Sequence, residues 1–324
     1  MASLDLHLLI ADYELSCALM IIKTMSARKA LLSERNFMKL KVEHLDDKGN
    51  FNYLEFDLSY LQFTKHLAFA GMGVNNSLYN LFRFSGFMLE FVQYWKPWDN
   101  RFVVPEIIFH DPTELGQISN RIGKGLADYL AKKIYGAKYT HNYEAAMVQH
   151  GYPIKGKRPD LYCDTRTKQF AVEAKGYKVS SVSANKMLDH KSQSRQGPIP
   201  VHFSVASVAY NLYESPTVKF HDPVGDDFEY SDDINRKLIA IYYQSILDSI
   251  EQIGLEPTYQ MDDIPQGFVA YHIPILPPKN SLFLLLHKSI VSRNWQDTEE
   301  FVIENDEQDF LTYIDVDGVG LCIR

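Results

Sequence analysis

The sequence predicts an α/β protein, and three segments carry that prediction. Residues 113–135 repeat Ile118, Ile122, Leu126, Tyr129, Leu130 and Ile134 at helical spacing, the stripe of a helix that covers a core. Residues 157–176, KRPDLYCDTRTKQFAVEAKG, set two apolar runs on either side of a polar turn of hairpin length, 164–168. Residues 200–212, PVHFSVASVAYNL, are an apolar run with small residues, the character of a buried strand. With a strand expected over 138–148 and a polar, basic helix over 183–196, the order is helix, three strands, helix, strand.

Taken from the start, residues 4–25 are apolar with helical breadth. A turn at 46–50 precedes 51–63, where Leu54, Phe56 and Leu58 alternate with Tyr53, Glu55 and Asp57 as in a strand. Residues 78–95 are rich in aromatics and leucine, as a buried helix or two strands, and Pro97 and Pro105 punctuate the exit. Thr113 is the expected N-cap of the helix that follows, with Glu114 in its first turn and Gly136 as its stop. The acidic stretch HDPVGDDFEYSDD, 221–233, marks a boundary. Beyond it, Leu238, Ile241, Tyr242, Ile246 and Ile250 predict a helix over 234–253. Apolar runs at 268–275, 282–287, 301–303 and 310–314 predict a small β-rich piece. The expected organisation is an α+β region over 1–105, a core over 106–220 and an acidic α+β region over 221–324.

The hairpin also carries chemistry. Strand side chains alternate between faces, so Glu173 and Lys175 share one face and Val172 and Ala174 the other. Asp160 begins the preceding apolar run, and pairing the runs brings it near Glu173, away from the turn. Two neighbouring carboxylates repel unless a cation lies between them. Hard oxygen ligands with open positions suit Mg²⁺, and an adjacent lysine can orient or deprotonate a water or stabilise phosphoryl charge. These are the parts for metal-assisted phosphodiester hydrolysis.

Pro159-Asp160…Glu173-x-Lys175 resembles the signature of the PD-(D/E)XK nuclease superfamily, and the resemblance covers 106–220. It implies a restriction-endonuclease-like αβββαβ core with a mixed central sheet. It implies that Asp160 and Glu173 bind Mg²⁺, for which Mn²⁺ substitutes, that the Ala174 carbonyl completes the shell, and that Lys175 assists the attacking water. A third acid is often offered by the family's first helix: Glu114 is the candidate there, and Glu144, expected on the first core strand, is its rival. Lys155, Lys157 and Arg158 precede the metal-binding Asp and are candidates for phosphate contact, as are Lys178, Lys186, Lys191 and Arg195 beyond the motif. Gln193 and Gln196 lie where some relatives hold the active site or DNA, though as surface residues they need no role. The implied partner is DNA, with work in prokaryotic defence or DNA processing.

Composition bounds these readings. The 324 residues are 46% hydrophobic and 23% charged, with 20 Tyr and 19 Phe, normal for a folded core. The net charge of −8 hides its distribution: residues 120–200 carry +9, residues 1–119 carry −3 and residues 201–324 carry −14. The motif thus sits in a basic segment of an acidic chain, the electrostatic footprint of phosphate contact. Cys17, Cys163 and Cys322 are sparse and form no Cys-x-x-Cys pair, which speaks against a zinc ribbon or disulfide scaffold and for a reducing, cytoplasmic setting. The apolar stretch 8–22 is interrupted by Asp12 and Glu14, unlike a signal peptide, and no run reaches membrane-spanning length. No His-Glu-x-x-His or Gly-x-Ser-x-Gly is present, and the helix runs through Gly123-Lys124-Gly125, so nucleotide hydrolysis would come from a partner ATPase. Asp315-Val316-Asp317-Gly318 begins like a calcium loop but lacks its distant glutamate. A homo-oligomer stays open. Two other functions also fit: a fold-retaining DNA- or partner-binding protein without turnover, its acidic end in its own basic groove or on a basic partner, and an RNA nuclease.

Overall fold

A computed structural model describes residues 37–46, 48–72, 86–87, 90–221, 232–258, 264–273, 281–295 and 311–324. The expected elements at 4–25 and 301–303, most of 78–95 and most of the acidic stretch 221–233 fall outside these residues.

Strand β1 (Met38–Leu45) buries Met38, Leu40 and Val42 and exposes Lys39 and Lys41, an alternation plain in the sequence. It pairs antiparallel with β2 (Phe51–Leu58). The strand expected over 51–63 stops at Leu58, because Ser59 and Gln62 form a capping box that starts helix α1 (Tyr60–Phe69). A two-residue ribbon, β3 (Trp95–Lys96) with β4 (Arg101–Phe102), leads to the long helix α2 (Pro112–Tyr135). Its N-cap is Asp111 rather than Thr113: the Asp111 carboxylate accepts from the N–H groups of Thr113 and Glu114, and Pro112 fills the first turn.

The strand expected over 138–148 is shorter. Strand β5 (Tyr139–Asn142) ends where the Asn142 side chain accepts from Ala145 N–H and caps helix α3 (Tyr143–Gln149). Glu144 is therefore in a helix first turn, not on a strand. Strands β6 (Leu161–Asp164) and β7 (Gln169–Gly176) form the hairpin, with Arg166 in the left-handed region at its turn. Helix α4 (Ala184–Ser194), capped by Ser183, precedes β8 (Phe203–Tyr210) and β9 (Thr217–His221). The seven strands order as β2-β1-β9-β8-β7-β6-β5, parallel at β7/β8 and β1/β9 and antiparallel elsewhere. The molecule is thus a mixed α/β protein with a mixed central sheet. From 112 to 210 its elements follow the expected order, apart from the inserted α3.

Helix α5 (Asp232–Ile253) leads into a second, antiparallel sheet ordered β10-β11-β12-β14-β13: β10 (Pro257–Thr258), β11 (Phe268–Ile273), β12 (Leu282–His287), β13 (Thr312–Ile314) and β14 (Val319–Ile323). Neither boundary expected at 105 or 220 separates cores. One cluster joins Leu40, Val42, Phe63 and Leu67 to Ile122, Leu126, Val172 and Val218. Another joins Leu61, Phe69 and Tyr139 to Tyr242, Ile246, Leu284 and Leu321.

Helix α2 rests on β7 backbone to backbone. A Cβ added at Gly176 would sit 1.7 Å from Ser119 O, and one at Gly123 would sit 2.4 Å from Lys175 O. These glycines exist for close packing. Gly176→Ala is expected to lift the helix from the strand and cost about 1–3 kcal/mol or more in urea unfolding. A wild-type unfolding midpoint for this variant would show that the contact yields.

Candidate active site

The hairpin builds the site as follows. Asp160 N–H donates to Val172 O at 3.0 Å, just outside the Leu161–Val172 pair, and Asp160 O accepts from Tyr143 N–H at 3.2 Å. Asp160 Oδ2 also accepts from Ala174 N–H at 2.9 Å, which fixes the carboxylate against β7. Lys175 Nζ reaches both acids, 3.4 Å from Asp160 Oδ2 and 2.5 Å from Glu173 Oε1. Asp160, Glu173 and Lys175 therefore converge on one face of the sheet. Val172 and Ala174 turn to the core under α2. Side-chain exposure is graded: Glu173 0%, Lys175 25%, Asp160 34%, so the glutamate lies at the floor of a site open on the aspartate side.

Burial, and next the charge of Asp160, push the Glu173 carboxyl up to about 7, against the pull of Lys175. Burial works against the Lys175 ammonium, but Asp160 and Glu173 outweigh it and raise its value. Lys175 is the ion-pair partner of Glu173, but Asp160 shares the same ammonium, so two carboxylates face one cation. A buried carboxylate that shares its counter-charge in this way is favoured by a further cation. The donor set fits a hard divalent ion held by two carboxylates, one carbonyl and outer oxygens. Among the described residues no group of three or more His, Cys, Asp or Glu is placed to hold a metal.

A raised folded-state value means that Glu173 contributes stability in full below about 4.5, its ordinary value, and loses it as pH rises through about 7. Metal-free Glu173→Gln is thus expected to be more stable than wild type at pH 8, by a few kcal/mol, and close to wild type at pH 5. Thermal melts in EDTA at the two pH values check this. A variant less stable at pH 8 would mean that the pairing with Lys175 outweighs burial.

Neither candidate third acid joins the pair. Glu114 lies in the exposed first turn of α2, where its charge acts on Glu90 and Tyr94. Glu144 Oε1 accepts from Arg158 Nε at 2.9 Å and also from Nη2, so each of those two predicted residues is committed to the other. Lys155 and Lys157 line a cleft with Tyr152 and Gln196. Lys178 lies over the Phe109 ring at 5.3 Å and Lys186 over the Tyr177 ring at 3.8 Å. Lys191 belongs to α4, where its charge acts on His221, and Arg195 is the exposed C-cap residue of that helix.

The sequence reading missed His190 and Tyr177. His190 is buried on α4, its Nε2 is 3.0 Å from Tyr177 Oη, and the charges of Lys175 and Asp160 both act on it. Gln193 Nε2, three residues on, donates to Arg158 O at 3.5 Å. The available signal was spacing: Lys186, His190 and Gln193 fall at i, i+4 and i+7 of one helix, on a single face.

Two acids of the C-terminal region pair with lysines, one of them within the basic segment 120–200. Asp315 and Asp317, on the turn between β13 and β14, are buried against Lys65 of α1 and Lys132 of α2. Lys132 Nζ is 2.5 Å from Asp315 Oδ2 and 2.8 Å from Asp317 Oδ2, and Lys65 Nζ is 2.6 Å from Asp317 Oδ2 and also bonds Asp315. Their oxygens are thereby taken up by ammonium groups, not arranged as a calcium loop.

No family model, curated protein or solved structure matches the chain. Among the described residues no helix is long and apolar enough to cross a membrane.

Proposed function

We propose that the protein is a Mg²⁺-dependent nuclease that hydrolyses phosphodiester bonds of DNA, on a restriction-endonuclease-like core. The observation that carries this reading is the convergence of the buried Glu173 carboxylate and the partly exposed Asp160 carboxylate on the one Lys175 ammonium. Asp160 and Glu173 would hold the ion, with the Ala174 carbonyl as a further ligand. The ion, when bound, supplies Lewis-acid polarisation of the scissile phosphate and a more acidic bound water. Lys175 orients the attacking water and stabilises charge building on the phosphoryl oxygens. Water adds to phosphorus, the bond to the leaving oxygen breaks, and the water's proton passes to solvent or to that oxygen. Asp160 faces solvent at the mouth, where a phosphate can approach, and the segment 120–200 around it carries the +9 charge.

The test is conversion of supercoiled plasmid to nicked or linear forms in Mg²⁺ or Mn²⁺, with EDTA as control, for wild type, Asp160→Asn and Lys175→Ala. Equal cleavage by all three would end the proposal.

A further inference from the structure

The segment between α3 and β6, with Gln196 and Pro198 beyond α4, forms a cleft of about 460 Å³ lined by Tyr152, Pro153, Lys155, Gly156, Lys157, Gln196 and Pro198. Sites for small ligands run to about 300–1,000 Å³, so the space admits one nucleotide. Its walls are held in place. Tyr152 N–H donates to Met147 O at 2.8 Å, and the ring lies near-parallel to His150, with centroids 6.3 Å apart. Arg158, fixed by Glu144, also donates from Nη1 to Gly156 O at 2.8 Å. Gly151 and Gly156 take left-handed backbone, and a Cβ added at Gly156 would meet nothing within 4 Å, so the floor there faces open space. Gln193 ties α4 to this loop through Arg158 O, while Gln196 donates to Ser192 Oγ at 3.4 Å and leaves its amide oxygen as an acceptor.

The lining has two chemistries. Tyr152 and two prolines offer flat apolar surface, suited to the face of a base; Lys155 and Lys157 offer charge for phosphates. A base inside a duplex has both faces covered by its neighbours and presents only edges, so a surface of this kind takes a nucleotide that has left the stack. Placement follows from chain length. Lys157 is three residues from Asp160, so their Cα atoms lie within about 11 Å, roughly three nucleotide steps at 3.4 Å per strand.

We propose that this cleft is a subsite for one unstacked nucleotide, so that the protein prefers DNA with a single-stranded segment next to the bond it cuts. The link to cutting rests on the nuclease reading above; the binding itself does not. The test therefore uses the full chain in EDTA, where cleavage plays no part. Fluorescence anisotropy would follow titration of a labelled oligothymidylate and of a blunt duplex of equal length. The single strand is expected to bind more tightly to wild type. Tyr152→Ala should weaken single-strand binding about tenfold or more and change duplex binding less than about twofold. Gln196→Ala, at an exposed position that folding does not need, should weaken the single strand several-fold. Lys155→Ala with Lys157→Ala should weaken both ligands and lower the salt slope by about two charges. Tighter duplex binding by wild type would overturn the proposal, as would unchanged single-strand affinity in both Tyr152→Ala and Gln196→Ala. Failure of the nuclease reading would instead appear in the plasmid assay, with these affinities intact.

Discussion

Asp160→Asn is expected to lower Mg²⁺-dependent cleavage by at least roughly 10³-fold while leaving the fold intact, and Lys175→Ala to lower it by about 10²–10⁴-fold through a different defect. The asparagine keeps an oxygen to accept from Ala174 N–H, the bond that holds Asp160 against β7. What it loses is the charge that shares a cation with Glu173. Titration of Mn²⁺ by calorimetry should show weak or no binding to Asp160→Asn. Lys175→Ala should behave in the opposite way: its ammonium lies between the two acids and competes with a divalent ion for them, so its removal should keep metal binding or tighten it several-fold. Loss of cleavage with retained metal affinity is the signature of a residue that acts on water or phosphate. If Lys175→Ala cut DNA as wild type does, the lysine would be only a counter-ion to the two acids, and the water would be oriented by another group.

The parts of the site that were legible in the sequence are those whose geometry is local. Asp160, Glu173 and Lys175 lie on two strands joined by a short turn, and the period of two places them on one face without any long-range information. Helix α2 was legible for the same reason, though Asp111 rather than Thr113 caps it, since a proline at the first helical position moves the cap one residue back from it. Residues 143–149 misled because Ala145, Ala146, Met147 and Val148 suit a strand as well as a helix, and the decisive signal was the capping side chain of Asn142. Strand β1 carried a clean alternation that was overlooked. Its parallel partner β9 was not predictable, since nothing local selects a strand about 175 residues away. Nothing local in the sequence marks Lys65 or Lys132 as buried. Only the fold, by bringing Asp315 to them across 250 and 183 residues, makes them core residues.

That last cluster yields the largest expected loss of stability. Lys65→Met and Asp315→Leu are each expected to destabilise the protein by about 3–5 kcal/mol, and the two together by clearly less than their sum. Lys65 has no exposed surface, and Lys132, Asp315 and Asp317 have side chains at most 4% exposed. Burial alone would strip Asp315 of its charge, yet Lys132 and Lys65 hold its carboxyl well below the usual range, and the two aspartates likewise raise Lys132. Tyr242 Oη donates to Asp317 Oδ2 at 2.8 Å and Tyr243 Oη to Asp317 O at 2.7 Å, so α5 is fastened to the same point. In direct contact two ammonium groups meet two carboxylates, and the buried Asp128, bonded to His66, adds its charge to both lysines. Either single substitution leaves an odd charge in a site that water does not reach, and that unpaired ion is what costs the stability. The double variant removes one ion of each sign and fills the space with apolar side chains. Urea unfolding of the four proteins gives the coupling energy directly. Strict additivity of the two losses would show that the residues act by packing alone and that the shared charge is incidental to joining the second sheet to the first.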